Sequence, residues 1–259
     1  MIAEQFLKIG MYMIISKIIG GLGNQMFQYA YGKYLSLKLN DELVLDTTFF
    51  TPENQDPMLV REYDLHIFKN ITCNTITNGK NLIEGFFQRY DYVTEIRGQL
   101  LHDFEINLEP NHQDIFNDIS NSNSVCINVR RADYVNFPRS ANFHGFIGNE
   151  YFDVAIKEIV NEINDPRFFV FSDDIEWCQD NIKTGYPTKF MTKEYNGPKY
   201  SYYLKLMSAC KHFILPNSTF GWWAAWMSNN PNKIIYAPKK WFIAASEPEG
   251  LIPNNWRRL

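Results

Sequence analysis

The sequence predicts an α/β fold in which helices cover parallel sheets, laid out as two successive halves. Short apolar, β-branched runs recur along the chain, stretches of helical spacing separate them, and polar residues collect where the runs end. At 259 residues the chain can form one large domain or two ordinary ones. Two such halves leave a cleft between them, with ligands held at the carboxyl ends of the strands.

The opening stretch MIAEQFLKIGMYMIISKIIGG is too charged for a signal peptide, because Glu4 comes early and Lys8 and Lys17 interrupt the apolar residues. Residues 13 to 19, MIISKII, read as a buried strand, and Met11 or Met13 as alternative starts. Met26, Phe27, Tyr29, Ala30, Tyr34 and Leu37 then mark a helix over 24 to 39, and ELVLD at 42 to 46 a second strand, which completes a β-α-β unit. Residues 47 to 80 show no consistent period. EGFFQRYDYV leads from a strand or loop into a helix over 90 to 104, and EPNHQDIFNDISNSNS at 109 to 124 has the composition of a linker. The expected domains are therefore 1–110 and 111–259.

The second half alternates more plainly. Strands are expected at 124 to 129, 167 to 172, 188 to 191, 212 to 216 and 233 to 238, with helices at 150 to 163, 175 to 183, 199 to 210 and 218 to 228.

Composition narrows the function. A net charge of −4 argues against a broad electrostatic grip on nucleic acid. The four cysteines, 73, 126, 178 and 210, are far apart and lack histidines at ligand spacing, which predicts reduced thiols and no cysteine-based metal site. No run approaches 18 apolar residues, so no membrane span is expected.

Four strand ends carry the candidate chemistry. In GGLGNQMFQYA, Gly21 and Gly23 suit either a tight strand-to-helix turn or close approach of a ligand, and the amides of Asn24 and Gln25 can cap the helix or bind sugar and phosphate oxygens. In INVRRADY, Asn128, Arg130, Arg131 and Asp133 end an apolar strand; arginines there pair with an internal acid or grip a phosphate. In FSDD, Asp173 and Asp174 either cap the next helix, accept hydrogen bonds from a ribose or base, or hold a divalent metal, for which one Asp-Asp pair without other converging carboxylates is thin support. In LPNSTFGWWAAWMS, Asn217, Ser218, Thr219 and Phe220 open a helix whose free N–H groups form an anion site, while its tryptophans read as core. Among the histidines, His144 is the one of interest, with a solvated loop position as the alternative.

Taken in order, GGLGNQMFQYA, GFFQ, VRRADY, FSDDIEWC, YYLKLMSACKHFILPNSTFGWWAAWMS and APKKWF resemble the bacterial α-1,2-fucosyltransferases from about residue 13 to the end. The resemblance implies a GT-B-like pair of facing Rossmann-type domains, the first on the acceptor side and the second binding GDP-fucose. It implies inverting transfer of L-fucose from GDP-fucose to the 2-hydroxyl of a β-galactoside, without a cofactor or required metal. It further implies that Arg130 holds the diphosphate, Arg131 supports the fold, Asp133 orients the site and Asn24 reaches the reaction centre. Asp173 and Asp174 would contact guanosine, and Ser218 and Thr219 the phosphates. Asp133 and His144 are the candidates for a general base, but a loose transition state needs little proton removal before the acceptor attacks, so neither is compelled. The chain departs from the family at Asn128, where a histidine is usual, at Ala132 and Ala224, which often are glycine, at Pro216, and at Arg89 and Tyr90, where Ser-Glu is usual.

The expected partners are GDP-fucose and a galactose-terminated glycan, and the expected location is cytoplasmic, with membrane contact through a lipid-linked acceptor at its inner face. The competing readings are a GT-B transferase with another donor or linkage and a nucleotide-sugar binder without turnover. A nicotinamide oxidoreductase lacks its dinucleotide fingerprint here.

Overall fold

The computed structural model describes residues 13–55, 60–72, 74, 82–131 and 138–259, with backbone alone at 138–140. The chain divides into two compact units, Met1–Glu105 with Glu249–Leu251, and Ile106–Pro248 with Ile252–Leu259.

In the first unit, β1 (Met13–Lys17) runs between β2 (Glu42–Asp46) and the short β3 (Leu82–Ile83), all parallel. Helix α1 (Leu22–Leu39) connects β1 to β2 and is buried along most of its first three turns, from Leu22 to Ala30. That burial explains why polar Gln25 and Gln28 are both inaccessible. The Gln28 side-chain carbonyl accepts from the Ile19 N–H at 2.9 Å, and its backbone carbonyl accepts from the Ser16 hydroxyl at 2.9 Å. These bonds tie the helix to the strand that precedes it.

Helices α2 (Tyr90–Glu95) and α3 (Arg97–Asp103) follow, divided at Ile96, whose ψ of 26° breaks the helical run. Just before α2, Phe87 adopts φ 48°, a left-handed conformation that costs a non-glycine residue ~1–2 kcal/mol. Its ring stacks on Tyr31 at 4.3 Å and its carbonyl accepts from the Tyr92 hydroxyl.

The second unit is a six-stranded parallel sheet in the order β6-β5-β4-β7-β8-β9. Its members are β4 (Asn123–Val129), β5 (Pro166–Ser172), β6 (Thr188–Phe190), β7 (His212–Ile214), β8 (Ile235–Ala237) and β9 (Arg257–Arg258). The order reverses between β4 and β7, which is the switch point of a doubly wound fold. Six helices accompany it among the described residues: α4 (Gln113–Asn121), α5 (Pro138–His144), α6 (Asn149–Val160), α7 (Ile175–Asn181), α8 (Ser201–Ser208) and α9 (Thr219–Met227).

Two expectations are corrected here. The segment read as a linker contains α4, because Ile115 and Ile119, one turn apart, are both buried despite the polar residues around them. His144 ends a helix rather than standing in a loop.

The final residues close the sheet. Arg257 forms a two-pronged pair with Glu162, and Arg258 another with Glu247 at 3.0 and 2.7 Å. Half-exposed ion pairs are worth ~0–1 kcal/mol each, whereas burial of a large apolar side chain is worth ~1.5–3 kcal/mol. Trp222 and Trp223 have no exposure and Trp256 has 6%, and Trp256 packs on Trp222 at 5.7 Å, so the rings dominate. The tryptophans of α9 are core, and Lys233 caps its end by donating to the carbonyls of Ala225 and Ser228 at 2.7 and 2.8 Å.

Candidate functional site

The carboxyl edge of the second sheet gathers the charged motifs through strand register. The ladder of β4 with β5 ends at Val129 opposite Ser172, so the residues that leave the two strands there, Arg130 and Arg131 from one and Asp173 and Asp174 from the other, emerge side by side at the sheet edge. Arg130 meets Asp173 at 2.8 Å and Arg131 meets Asp174 at 3.0 Å. The Arg131 N–H also donates to Asp173 at 2.8 Å.

The two arginines are held differently. Arg131 is 15% exposed, with its guanidinium 4.0 Å from the centre of the Trp177 ring and 5.0 Å from that of Phe146. Arg130 retains 31% exposure at the strand end. Asp174 also accepts from the Trp177 N–H at 3.3 Å, so it caps α7. The internal ion pair and the helix cap, both open in the sequence, are therefore present. They fix Arg131 in the framework and leave Arg130 partly accessible.

Across the switch point, α9 begins after β7 with Ser218 as its N-cap, and no side chain caps it. Ser218, Thr219 and Phe220 are partly exposed. Asn217, only 2% exposed, donates to the carbonyls of His144 and Trp241 at 2.8 and 3.0 Å and so fixes the turn before the helix.

Asn128 is 7% exposed and donates to the Phe171 carbonyl at 3.3 Å, while its Oδ1 has no hydrogen-bond partner among the described residues. A Cβ at Gly221 would stand 2.5 Å from that oxygen. Glycine is needed at this position so that the first turn of α9 can approach the strand end.

The first unit supplies a separate amide cluster. Gly20 adopts φ 77°, as the turn into α1 requires, whereas Gly21 has open space where a Cβ would go and Gly23 is buried in the first turn. Gln25 has no exposure; its amide donates to the carbonyls of Gly20 and Glu62 at 2.9 and 2.8 Å and accepts from the Asp64 N–H at 2.8 Å. It binds the 62–64 segment to the turn. Asn24 is half-buried and accepts from Gln88 at 3.0 Å, which links the GGLGNQ and GFFQ motifs. Sequence reasoning misses Gln88, whose one signal is its place at the end of the GFFQ motif. Nearby, burial raises the Asp64 carboxyl above its ordinary value, against a smaller opposing pull from His66 and Arg61.

Asp133 lies outside the described residues. Among the described residues, no three His, Cys, Asp or Glu side chains are grouped to hold a metal ion, and no helix is long and apolar enough to cross a membrane.

A doubly wound parallel sheet with arginines and an uncapped helix start beside its switch point is the frame of α/β enzymes that bind nucleotides. The chain belongs to glycosyl transferase family 11, whose model matches residues 51–256. It is 30% identical to an α-1,2-colitosyltransferase of Escherichia coli, over 96% of this chain and 99% of that one. It is 28% identical to the O-antigen biosynthesis glycosyltransferase WbnK of Escherichia coli, over 94% and 99%. The fold is similar to that of the α-1,6-fucosyltransferase NodZ in crystals soaked with GDP-fucose, with a TM-score of 0.51, 14% identity, and coverage of 87% of this chain and 94% of that one.

Proposed function

We propose that the chain transfers L-fucose from GDP-L-fucose to the 2-hydroxyl of a terminal β-galactoside, with inversion and without a required metal. The observation that carries the reading is Arg130: a partly exposed guanidinium, braced by Asp173, at the switch point of the second sheet. Family membership and the α-1,2 linkage in one relative's name support it.

In this reading the second unit binds the donor and the first the acceptor. The start of α9 at Thr219 and Phe220, the Ser218 hydroxyl and the Arg130 guanidinium receive the diphosphate, while the Ser218 N–H is used within the turn, donating to the Pro216 carbonyl at 2.9 Å. As the bond from fucose C1 to phosphate oxygen breaks, negative charge grows on the diphosphate and the sugar gains oxocarbenium character. A fixed cation stabilises that state more than the ground state, which is the work a metal would otherwise do. The acceptor 2-hydroxyl attacks C1 from the opposite face and its proton passes to Asp133, His144 or solvent. Asn24, held by Gln88, orients the reacting sugars, and Asp133 the site around Arg130. Asp173 bears on guanosine as well as bracing Arg130, and Asn128 lines the donor pocket. Gln25, Arg131, Asp174 and Asn217 serve as framework.

The acceptor is a lipid-linked glycan at the cytoplasmic face of the membrane, a reading supported by the O-antigen relative. A second reading, a donor sugar that lacks the 3-hydroxyl, is favoured by the colitosyltransferase relative.

The test is GDP release from GDP-fucose in chelator, with and without lactose or a galactosyl-N-acetylhexosamine, with NMR of the product. Acceptor-dependent release and a new α-1,2-linked fucose are expected. Faster turnover of the 3-deoxy donor would favour the second reading, and a chain that binds no GDP would overturn both.

A further inference from the structure

Between β6 and α8 the second unit holds a turn that the motifs do not explain. Gly197, Lys199 and Tyr200 all adopt left-handed backbone, with φ of 66°, 49° and 62°. Glycine does so freely, but lysine and tyrosine only against steric resistance. The turn is held from several sides. The Asn196 carbonyl accepts from the N–H groups of Tyr202 and Tyr203 at 3.1 and 3.4 Å, and the Tyr200 N–H donates to Gly197 at 3.3 Å. The Tyr202 ring stands 2.3 Å from where a Gly197 Cβ would be. The result is a Tyr200 ring that is 44% exposed on a fixed backbone.

Its position follows from topology. A helix that follows a strand in a parallel sheet starts at the carboxyl edge, so this turn shares its edge with Arg130, Asp173 and Ser218. Ring contacts give the proximity: Tyr200 lies 5.8 Å from Tyr203, which meets Phe171 edge-on at 5.2 Å, and Phe171 directly precedes Ser172 and Asp173. Other exposed rings of this unit are placed differently. Phe146 lies under Arg131, Phe143 packs on Phe242 at 5.1 Å, and Tyr186 precedes β6 and so belongs to the amino edge.

We propose that Tyr200 is the stacking surface for the purine base of the donor nucleotide. The inference rests on the donor reading above and extends it to a residue that no motif assigns. A ring held by its backbone stacks at low entropy cost, and any flat base offers a face to it.

The experiment is calorimetric titration of the full chain with GDP, for wild type, Tyr200→Gly and Tyr200→Phe, with inorganic pyrophosphate as the probe that lacks a base. Glycine relieves the left-handed strain, so Tyr200→Gly melts at or above the wild-type temperature while losing the ring. Its GDP affinity is expected to fall about tenfold, the order of one lost base stack, with pyrophosphate binding unchanged. Tyr200→Phe is expected to bind GDP as wild type does. Unchanged GDP affinity in Tyr200→Gly would overturn the inference, as would an equal loss for pyrophosphate, which would mean general damage to the edge. A wild-type chain that binds pyrophosphate but gains nothing from the base would also overturn it while leaving the phosphate site standing. No binding of GDP at all would remove the donor reading and the inference together.

Discussion

Arg130→Ala removes the guanidinium that meets Asp173 at 2.8 Å, and its effects on stability and on rate differ in size. The pair is 31% exposed at the arginine and 10% at the aspartate, so it falls between a surface bridge and a buried one. Surface bridges are worth ~0–1 kcal/mol, and breaking a buried pair costs ~3–5 kcal/mol. Asp173 keeps the bond from the Arg131 N–H at 2.8 Å, which sets the expected loss near the lower bound, about 1–2 kcal/mol. Against a stability of ~5–15 kcal/mol, the chain stays overwhelmingly folded. The rate effect is larger: loss of one fixed contact to developing charge costs ~10²–10³-fold, or about 2.7–4 kcal/mol. Urea unfolding followed by circular dichroism and GDP release, measured on one preparation, separate the two. Arg130→Lys keeps the charge without the fork and should fall between wild type and alanine. Activity of Arg130→Ala within threefold of wild type would refute the diphosphate role.

Gly221→Ala places a Cβ 2.5 Å from Asn128 Oδ1 and should cost ~1–3 kcal/mol by overpacking; adding Asn128→Ala should restore much of the loss in a thermal melt, and strict additivity would disprove the contact. Lys233→Met leaves the carbonyls of Ala225 and Ser228 without their donor and should lower stability by ~1 kcal/mol, read by urea titration. The pH dependence has two parts. His212 accepts from the Ile234 N–H, and burial lowers its pKa below 6.5, so the stability tied to its neutral form is full above about 6.5 and declines as pH falls through the lower folded value. His212→Gln should flatten that decline. Glu162 is held below 4.5, chiefly by its hydrogen bond from Arg257, so its share is present above that value and is lost in more acid solution; Arg257→Gln should remove it.

The sequence by itself determined the repeating α/β pattern and much of its placement. ELVLD became β2 at its expected bounds, and the apolar runs of the second half became β4 to β8. These elements were legible because strands buried on both faces must be apolar throughout. It also determined the family, since several modest motifs in a set order are specific together.

Tertiary structure decided what the pattern could not carry. Helix α4 was hidden because two isoleucines one turn apart suffice to bury a helix whose other residues remain polar. The two-residue β9 was too short to have a period of its own. At the site, nothing in the spacing of VRRADY and FSDD indicates which acid meets which arginine. That pairing follows from the register of Val129 opposite Ser172, a relation between residues 43 positions apart along the chain. The same holds for Gln25: an amide beside three glycines reads as a ligand contact until the fold brings residues 62–64 against it. Local sequence sets which groups are available, and long-range packing sets which of them the chain itself satisfies.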